Sequence, residues 1–170
     1  GGSRAADQAA DRTQRNGVIM TKERTLLFVK PEGLIKDLAG DILNRLRRVV
    51  DIKLVGTKLV AVNKELAEEH YAEHKGKSFY ERLIGHLTGH FHNGDNRVLA
   101  FVFEGDDIIK EVRKVVGSTM PQDADPRSIR GAYGRVSADG LVENVVHASA
   151  NPADAQREIA LWFRPEELVA

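Results

Sequence analysis

The sequence predicts an α+β fold of the ferredoxin-like, split βαβ kind: a four-stranded antiparallel sheet with helices packed on one face. Three observations predict it. Four runs, at 24–30, 52–62, 97–104 and 142–147, have the length and the β-branched or apolar make-up of strands. Stretches with helical apolar spacing separate them, in the order β-α-β-α-α-β-α-loop-β-α. The 170 residues, 42% hydrophobic, suit one domain with one buried core, plus a tail.

Residues 1–22 read as a tail, since almost nothing apolar precedes Val18 and the opening Gly-Gly-Ser looks like an added linker. The folded domain is expected over 23–170. Residues 24–30 (RTLLFVK) form a buried strand that runs into Pro31. Lys30-Pro31-Glu32-Gly33 makes a turn. Apolar residues at 35, 38, 39, 42, 46, 49 and 50 predict one amphipathic helix over 35–50. A strand follows over 52–62. Asn63 caps a helix over 64–75, whose charged run Lys64–Glu69 reads as a solvated face. Ser78-Phe79-Tyr80-Glu81 has the form of a capping box opening a second helix to about Leu87. Strand 97–104 leads to a helix over 106–116, with acid at its start and Gly117 at its end. The stretch 118–142 has little periodicity, and long unstructured loops are usually functional. A short strand over 142–147 and a helix over 152–163 follow, the latter opened by Asn151-Pro152.

Composition excludes several classes of function. Twenty-five Lys and Arg balance 25 Asp and Glu, which argues against a general binder of nucleic acid or anionic membrane. With no cysteine there is no disulfide, thiolate nucleophile or thiolate metal site. No apolar run approaches the ~20 residues of a spanning helix. A cytoplasmic location is the expectation. Glycine-rich phosphate loops, nucleophile elbows and H-E-x-x-H are all missing, so any phosphate site must use scattered side chains.

His147 is the sharpest single residue. It ends an apolar strand beside the small residues Ala148-Ser149-Ala150, and a neutral imidazole can serve as nucleophile or base. Lys30, Arg113 and Arg130 each sit where a strand ends or a loop begins, and such cations suit phosphate oxygens. Glu158, one turn into the last helix, can orient an imidazole through its second nitrogen. Each of these alone is more often an ordinary surface or core residue. Five of the six histidines lie at 70, 74, 86, 90 and 92. Imidazole is a common metal ligand, but no cysteine or well-placed acid completes a familiar spacing, so solvated loop histidines are the expectation there.

Taken together, Lys30-Pro31-Glu32-Gly33, His70-Tyr71, Ser78-Phe79, Arg113 with Gly117-Ser118-Thr119, Ser128-Ile129-Arg130-Gly131, Asn144-Val145-Val146-His147 and Glu158-Ile159-Ala160-Leu161-Trp162-Phe163 resemble a nucleoside diphosphate kinase. The resemblance spans roughly 23–169. It implies a ping-pong reaction in which His147 takes the terminal phosphate of a nucleoside triphosphate and passes it to a nucleoside diphosphate. By position it implies that Lys30 and Asn144 bind the ribose 3′ side and nearby phosphate oxygens. Arg113 and Thr119 would hold the diphosphate, and Arg130 the transferring group. Tyr71 would lie against His147, Phe79 would stack on the base, and Glu158 would hold the histidine. Ser149 belongs to the same set. Mg2+ would bridge the phosphates with no protein ligand of its own, and a homo-oligomer is implied.

The sequence departs from the family pattern in places. Ala148 and Ala150 replace the glycine and acid of the usual N-x-x-H-G-S-D, and Ala132 replaces an acid after Arg130-Gly131. The segments 132–143 and that before strand 97–104 are longer than usual. Many relatives run on past Pro165–Leu168, and that tail often makes subunit contacts. A non-catalytic nucleotide-binding or scaffold protein on the same fold is the alternative, and the intact site residues favour the enzyme. An RNA-binding module would need a basic face, which the charge balance does not supply.

Overall fold

The computed structural model describes residues 12–15 and 18–169, with side chains described from Lys22 onward. Most of the expected tail therefore lies outside the described residues. Strand β1 (Arg12–Arg15) pairs antiparallel with the start of β2 (Val18–Val29), Arg12 opposite Thr21. The first long strand thus begins before the expected domain start at Glu23.

Helices α1 (Pro31–Ile35) and α2 (Ala39–Leu46) follow, then β3 (Lys53–Ala61), α3 (Lys64–His70) and α4 (Tyr80–Leu87). Next come β4 (Arg97–Asp106), α5 (Ile108–Val116), α6 (Ile129–Tyr133), β5 (Arg135–Val136), β6 (Val142–Glu143), β7 (Val146–Ala148) and α7 (Pro152–Trp162). The central sheet has the order β3-β4-β2-β7, antiparallel throughout. The fold class is the ferredoxin-like α+β sandwich expected. Among the described residues no helix is long and apolar enough to cross a membrane.

Helices cover both faces of the sheet, not one. Leu27 and Val29 of β2 and Phe101 and Phe103 of β4 pack with Ile42 and Leu46 of α2 and with Ile108, Val112 and Val116 of α5. Leu26 and Phe28, with Ala100 and Val102, pack instead with Ala67 of α3, Leu87 of α4 and Trp162 of α7. The reason is in the strands themselves. Successive residues of β2 and β4 point to opposite faces, and both strands are apolar at nearly every position, so each face needs a cover.

Three local expectations also change. The helix expected over 35–50 is the shorter α2, and the Lys30–Gly33 stretch expected as a turn opens α1 instead; Asp37, between the two with φ +56°, cannot continue a right-handed helix. Ser78 does not cap α4: the helix starts at Tyr80 with no side-chain cap, and Ser78 lies in a turn in which Tyr80 N donates to Lys77 O at 3.1 Å. The strand over 142–147 is two short strands broken at Asn144-Val145. The unusually long segment 132–143 forms the small β5–β6 hairpin.

Candidate active site

His147 is the middle residue of β7 and lies directly opposite Phe28 of β2. The two rings stack at 4.8 Å and 28°, and His70 packs edge-on against His147 at 4.5 Å. The imidazole is 19% exposed. Its Nε2 meets both carboxylate oxygens of Glu158, at 2.9 and 3.0 Å. Glu158 lies in α7, whose start is fixed by Asn151 accepting from Asp154 N and by Pro152 in the first turn. Ser149 Oγ donates to Glu158 Oε1 (2.8 Å) and accepts from Leu26 N (3.1 Å). The carboxylate is therefore held from two sides. With Nε2–H donated to it, the free lone pair of the ring is on Nδ1.

The approach of the chain to His147 is strained. Val145, a β-branched residue, has φ +67°, a conformation that costs about 1–3 kcal/mol. The Lys30–Gly33 turn holds it there. Lys30 N donates to Val145 O at 2.8 Å, and Val145 N donates to Glu32 Oε1 at 3.1 Å. Gly33 is needed for this approach, since a Cβ there would lie 2.7 Å from Val29 Cγ1 and 3.3 Å from Val145.

Cations surround the imidazole. Lys30 is buried and donates from Nζ to Asn144 Oδ1 at 2.7 Å, while Asn144 Nδ2 donates to Thr119 O at 3.0 Å. Arg130 is buried too, its guanidinium donating to Val146 O (2.9 Å) and Gly117 O (3.2 Å). Its Nε is buried with no hydrogen-bond partner. Arg113, on the exposed side of α5, reaches Ala148 O at 3.4 Å. Burial, and then the charges of Lys30, Arg130, Arg113 and Arg157, hold the His147 pKa well below the ordinary imidazole value. Burial lowers Lys30 to about 8, helped by Arg130 and opposed by Glu32. Burial, with the Arg113 charge, brings Arg130 to about 10. Both remain charged at neutral pH, while His147 is neutral. Burial pushes Glu158 above the usual carboxylate value, against the pull of His70 and Ser149. Burial, then Glu32 and Glu158, push Tyr71 upward, so its hydroxyl keeps its proton.

Lys30, Arg113, Arg130, Asn144, Ser149 and Glu158 thus gather around His147. Thr119 joins through its backbone carbonyl. His70 makes the edge contact with the His147 ring, and Tyr71 packs on His70 at 4.6 Å, close enough to Arg130 and Glu158 to interact with both electrostatically. The chain of rings continues from Tyr71 to His74 (6.1 Å) and from His74 to Phe79 (5.5 Å). Phe79 is 45% exposed, with Lys77 Nζ 5.8 Å above its ring. His70, expected among the solvated histidines, is buried, and no motif in the sequence marks Phe28 for the site. The alternation within strand 24–30, set against a paired β7, is the signal that would have placed Phe28 beneath His147.

His70, His147 and Glu158 have ligand atoms close enough to share a metal. However, Trp162 Nε1 donates to His70 Nδ1 at 3.0 Å, and four cations act on His147. Such a site repels a dication.

The chain is similar to known proteins along most of its length. The family model described as "Nucleoside diphosphate kinase" matches residues 23–168. The nucleoside diphosphate kinase of Thermococcus kodakarensis is 45% identical over 146 residues, covering 86% of this chain and 79% of its own. That of Thermus thermophilus is 45% identical over 147 residues, covering 86% and 99%. Among solved structures, the nucleoside-diphosphate kinase of Borrelia burgdorferi, a transition-state mimic with bound vanadate and ADP, superposes with a TM-score of 0.77 at 35% identity, covering 88% of this chain and 91% of its own. The Halobacterium salinarum enzyme in complex with CDP superposes with a TM-score of 0.77 at 40% identity, covering 88% and 92%.

Proposed function

The chain belongs to the nucleoside diphosphate kinase family and is a phosphotransferase acting on nucleotides, and from that premise we propose that His147 is its phosphate-carrying nucleophile. Nδ1 of His147 attacks the terminal phosphorus of a nucleoside triphosphate. The N–P bond forms as the bond to the bridging oxygen breaks, and the nucleoside diphosphate leaves. A second nucleoside diphosphate then attacks the phosphohistidine and regenerates the ring. Glu158 keeps the Nε2 proton throughout and offsets the positive charge that develops on the imidazole. The observation that carries this reading is the pairing of Nε2 with Glu158 (2.9 and 3.0 Å) while Lys30, Arg113 and Arg130 act on the ring from other sides.

Phosphoryl transfer needs positioning and charge neutralisation. Arg130 holds the transferring group, Arg113 and Thr119 the diphosphate, and Lys30 with Asn144 the ribose 3′ side and nearby oxygens. Tyr71, protonated, donates to a phosphate oxygen. Phe79 stacks on the base, and stacking accepts purines and pyrimidines alike. The side chains facing His147 are cations, and the carboxylate there, Glu158, is already engaged by His147 and Ser149. That donor set fits a Mg2+ ion carried on the phosphates rather than on the protein, where it supplies further charge neutralisation. Exposed Leu54 and Leu59 on β3 support self-association into a homo-oligomer. A cytoplasmic location, beside the nucleotide pool, belongs to the same proposal.

The test is incubation with γ-labelled ATP and Mg2+, parent against His147→Ala. Acid-labile label on the parent and none on the variant is expected. No label on the parent, or equal label on both, overturns the assignment.

A further inference from the structure

The histidine-rich stretch of the sequence divides into separate places in the fold. His70 lies against His147, His74 touches Tyr71 and Phe79, and His90 is exposed beside Phe91. His86, in the last turn of α4, and His92, in the long segment before β4, come together at Glu32. Glu32 Oε2 is 2.7 Å from His86 Nε2 and 3.8 Å from His92 Nε2. The three ligand atoms lie within 4.8 Å of one another. The side chains of Glu32, His86 and His92 are 1%, 6% and 7% exposed.

One atom in this cluster lacks a partner. Nε2 of His92 is buried, aimed at Glu32, and makes no hydrogen bond. Buried polar atoms are rarely left so, and each calls for an explanation such as a bound ion. Glu32, Glu143 and Asp95 act electrostatically on His92, against burial and His86; Glu143 and Asp95 are themselves paired with Arg135 and Arg97.

We propose that Glu32, His86 and His92 bind a divalent transition-metal ion of the Zn2+ type. Two imidazole nitrogens and a carboxylate oxygen form a donor set suited to Zn2+ or Co2+, and unsuited to Mg2+ or Ca2+, which prefer oxygen alone. Bonds of about 2.0–2.1 Å in tetrahedral array set neighbouring ligand atoms about 3.3 Å apart. The two Glu32 distances, 2.7 and 3.8 Å, bracket that value, so each changes by about half an ångström on binding. Solvent takes the fourth position. The other oxygen, Glu32 Oε1, accepts from Val145 N. A metal on Oε2 therefore fixes the carboxylate that holds the strained residue two positions before His147. The role is support of the fold rather than of the reaction, since His86 holds Glu32 Oε2 at 2.7 Å without the ion.

The experiment uses the full chain, stripped with a chelator and titrated with Co2+ or Zn2+ in excess Mg2+. Expected are about one bound ion per chain, a Co2+ spectrum typical of a four-coordinate N/O site, and a raised melting temperature. His92→Ala and the bulkier His92→Gln should each abolish binding and the metal-dependent rise in melting temperature. Neither variant should lose phosphohistidine formation. A parent that binds neither ion overturns the proposal, as does binding that survives both His92 substitutions. Binding lost in His147→Ala instead would place the ion among His70, His147 and Glu158, and would equally overturn it. Labelling of His147 is read separately, so failure here leaves the kinase assignment untouched.

Discussion

Replacing Glu158 with glutamine probes the orientation of the nucleophile with minimal change of shape. In the parent both carboxylate oxygens face His147 Nε2, at 2.9 and 3.0 Å, and Oε1 also accepts from Ser149 at 2.8 Å. A glutamine has one oxygen and one NH2 group. Whichever way the amide is turned, an N–H faces Nε2–H. The imidazole then relieves the conflict by moving its proton to Nδ1, which removes the lone pair that attacks phosphorus, or by swinging away from α7. A hydrogen bond to a charged group is worth about 1.5–3 kcal/mol. At about 1.4 kcal/mol per tenfold, that converts to a roughly 10- to 150-fold loss of kcat. The assay is single-turnover formation of phosphohistidine from labelled ATP, with thermal denaturation alongside to show that the variant folds. Nucleotide affinity should change little, because Glu158 touches the histidine and not the phosphates. A folded Glu158→Gln variant within twofold of the parent rate would refute the idea that this carboxylate sets the tautomer.

Four further outcomes follow from the structure. The His147 pKa is held well below the ordinary imidazole value by burial and then by Lys30, Arg130, Arg113 and Arg157, so the ring stays neutral as pH falls through about 6.5. The acid limb of kcat/KM therefore lies below that pH, and a limb centred at or above it would contradict the proposed field. The sign for stability is the opposite: below about 6.5 the unfolded chain gains a proton that native His147 refuses, so stability falls on acidification, as thermal melts between pH 7 and pH 5 would record. Phe79→Ala should raise KM for every nucleoside diphosphate by a similar factor, about 5- to 150-fold from the loss of 1–3 kcal/mol of stacking. A change confined to GDP or to CDP would show that base edges are read. Gly117→Ala should destabilise the fold by about 2 kcal/mol or more in denaturant titration, because Gly117 has φ +88° and the new Cβ would sit 2.3 Å from Ser128 Oγ. Gly117 O also receives Arg130, so phosphate affinity should weaken with it; a variant as stable as the parent would refute the steric argument.

Much of this protein was legible before any coordinates. The apolar runs at 24–30 and 97–104 became β2 and β4, and Asn63 and Asn151 cap α3 and α7 through their side chains, as their types predict. Those signals are local, written in side-chain chemistry and spacing. The readings that failed were decided elsewhere. Ser78 has the right neighbours for a capping box, yet α4 begins at Tyr80. Val145 adopts a left-handed backbone conformation that its β-branched type disfavours, because Lys30 and Glu32, distant in sequence, hold it there; Asp37, also left-handed, ends α1 through local bonds to Leu34 and from Leu38 to Gly33, a place that Asp tolerates.

The site divides in the same way. The sequence by itself determined the residue types: an imidazole at 147, a carboxylate eleven residues later, and cations at 30, 113 and 130. Only the tertiary structure decided that Glu158 takes Nε2, that Phe28 lies beneath the ring, and that His70 stands edge-on against it. It alone separated His86 and His92 from the other histidines and set them on Glu32. The physical reason is one of range. Residue chemistry and periodicity act within a turn or a strand, whereas a site is built where β2, β7, α7 and the loops between them meet, and that meeting is fixed by burial of both faces of the sheet.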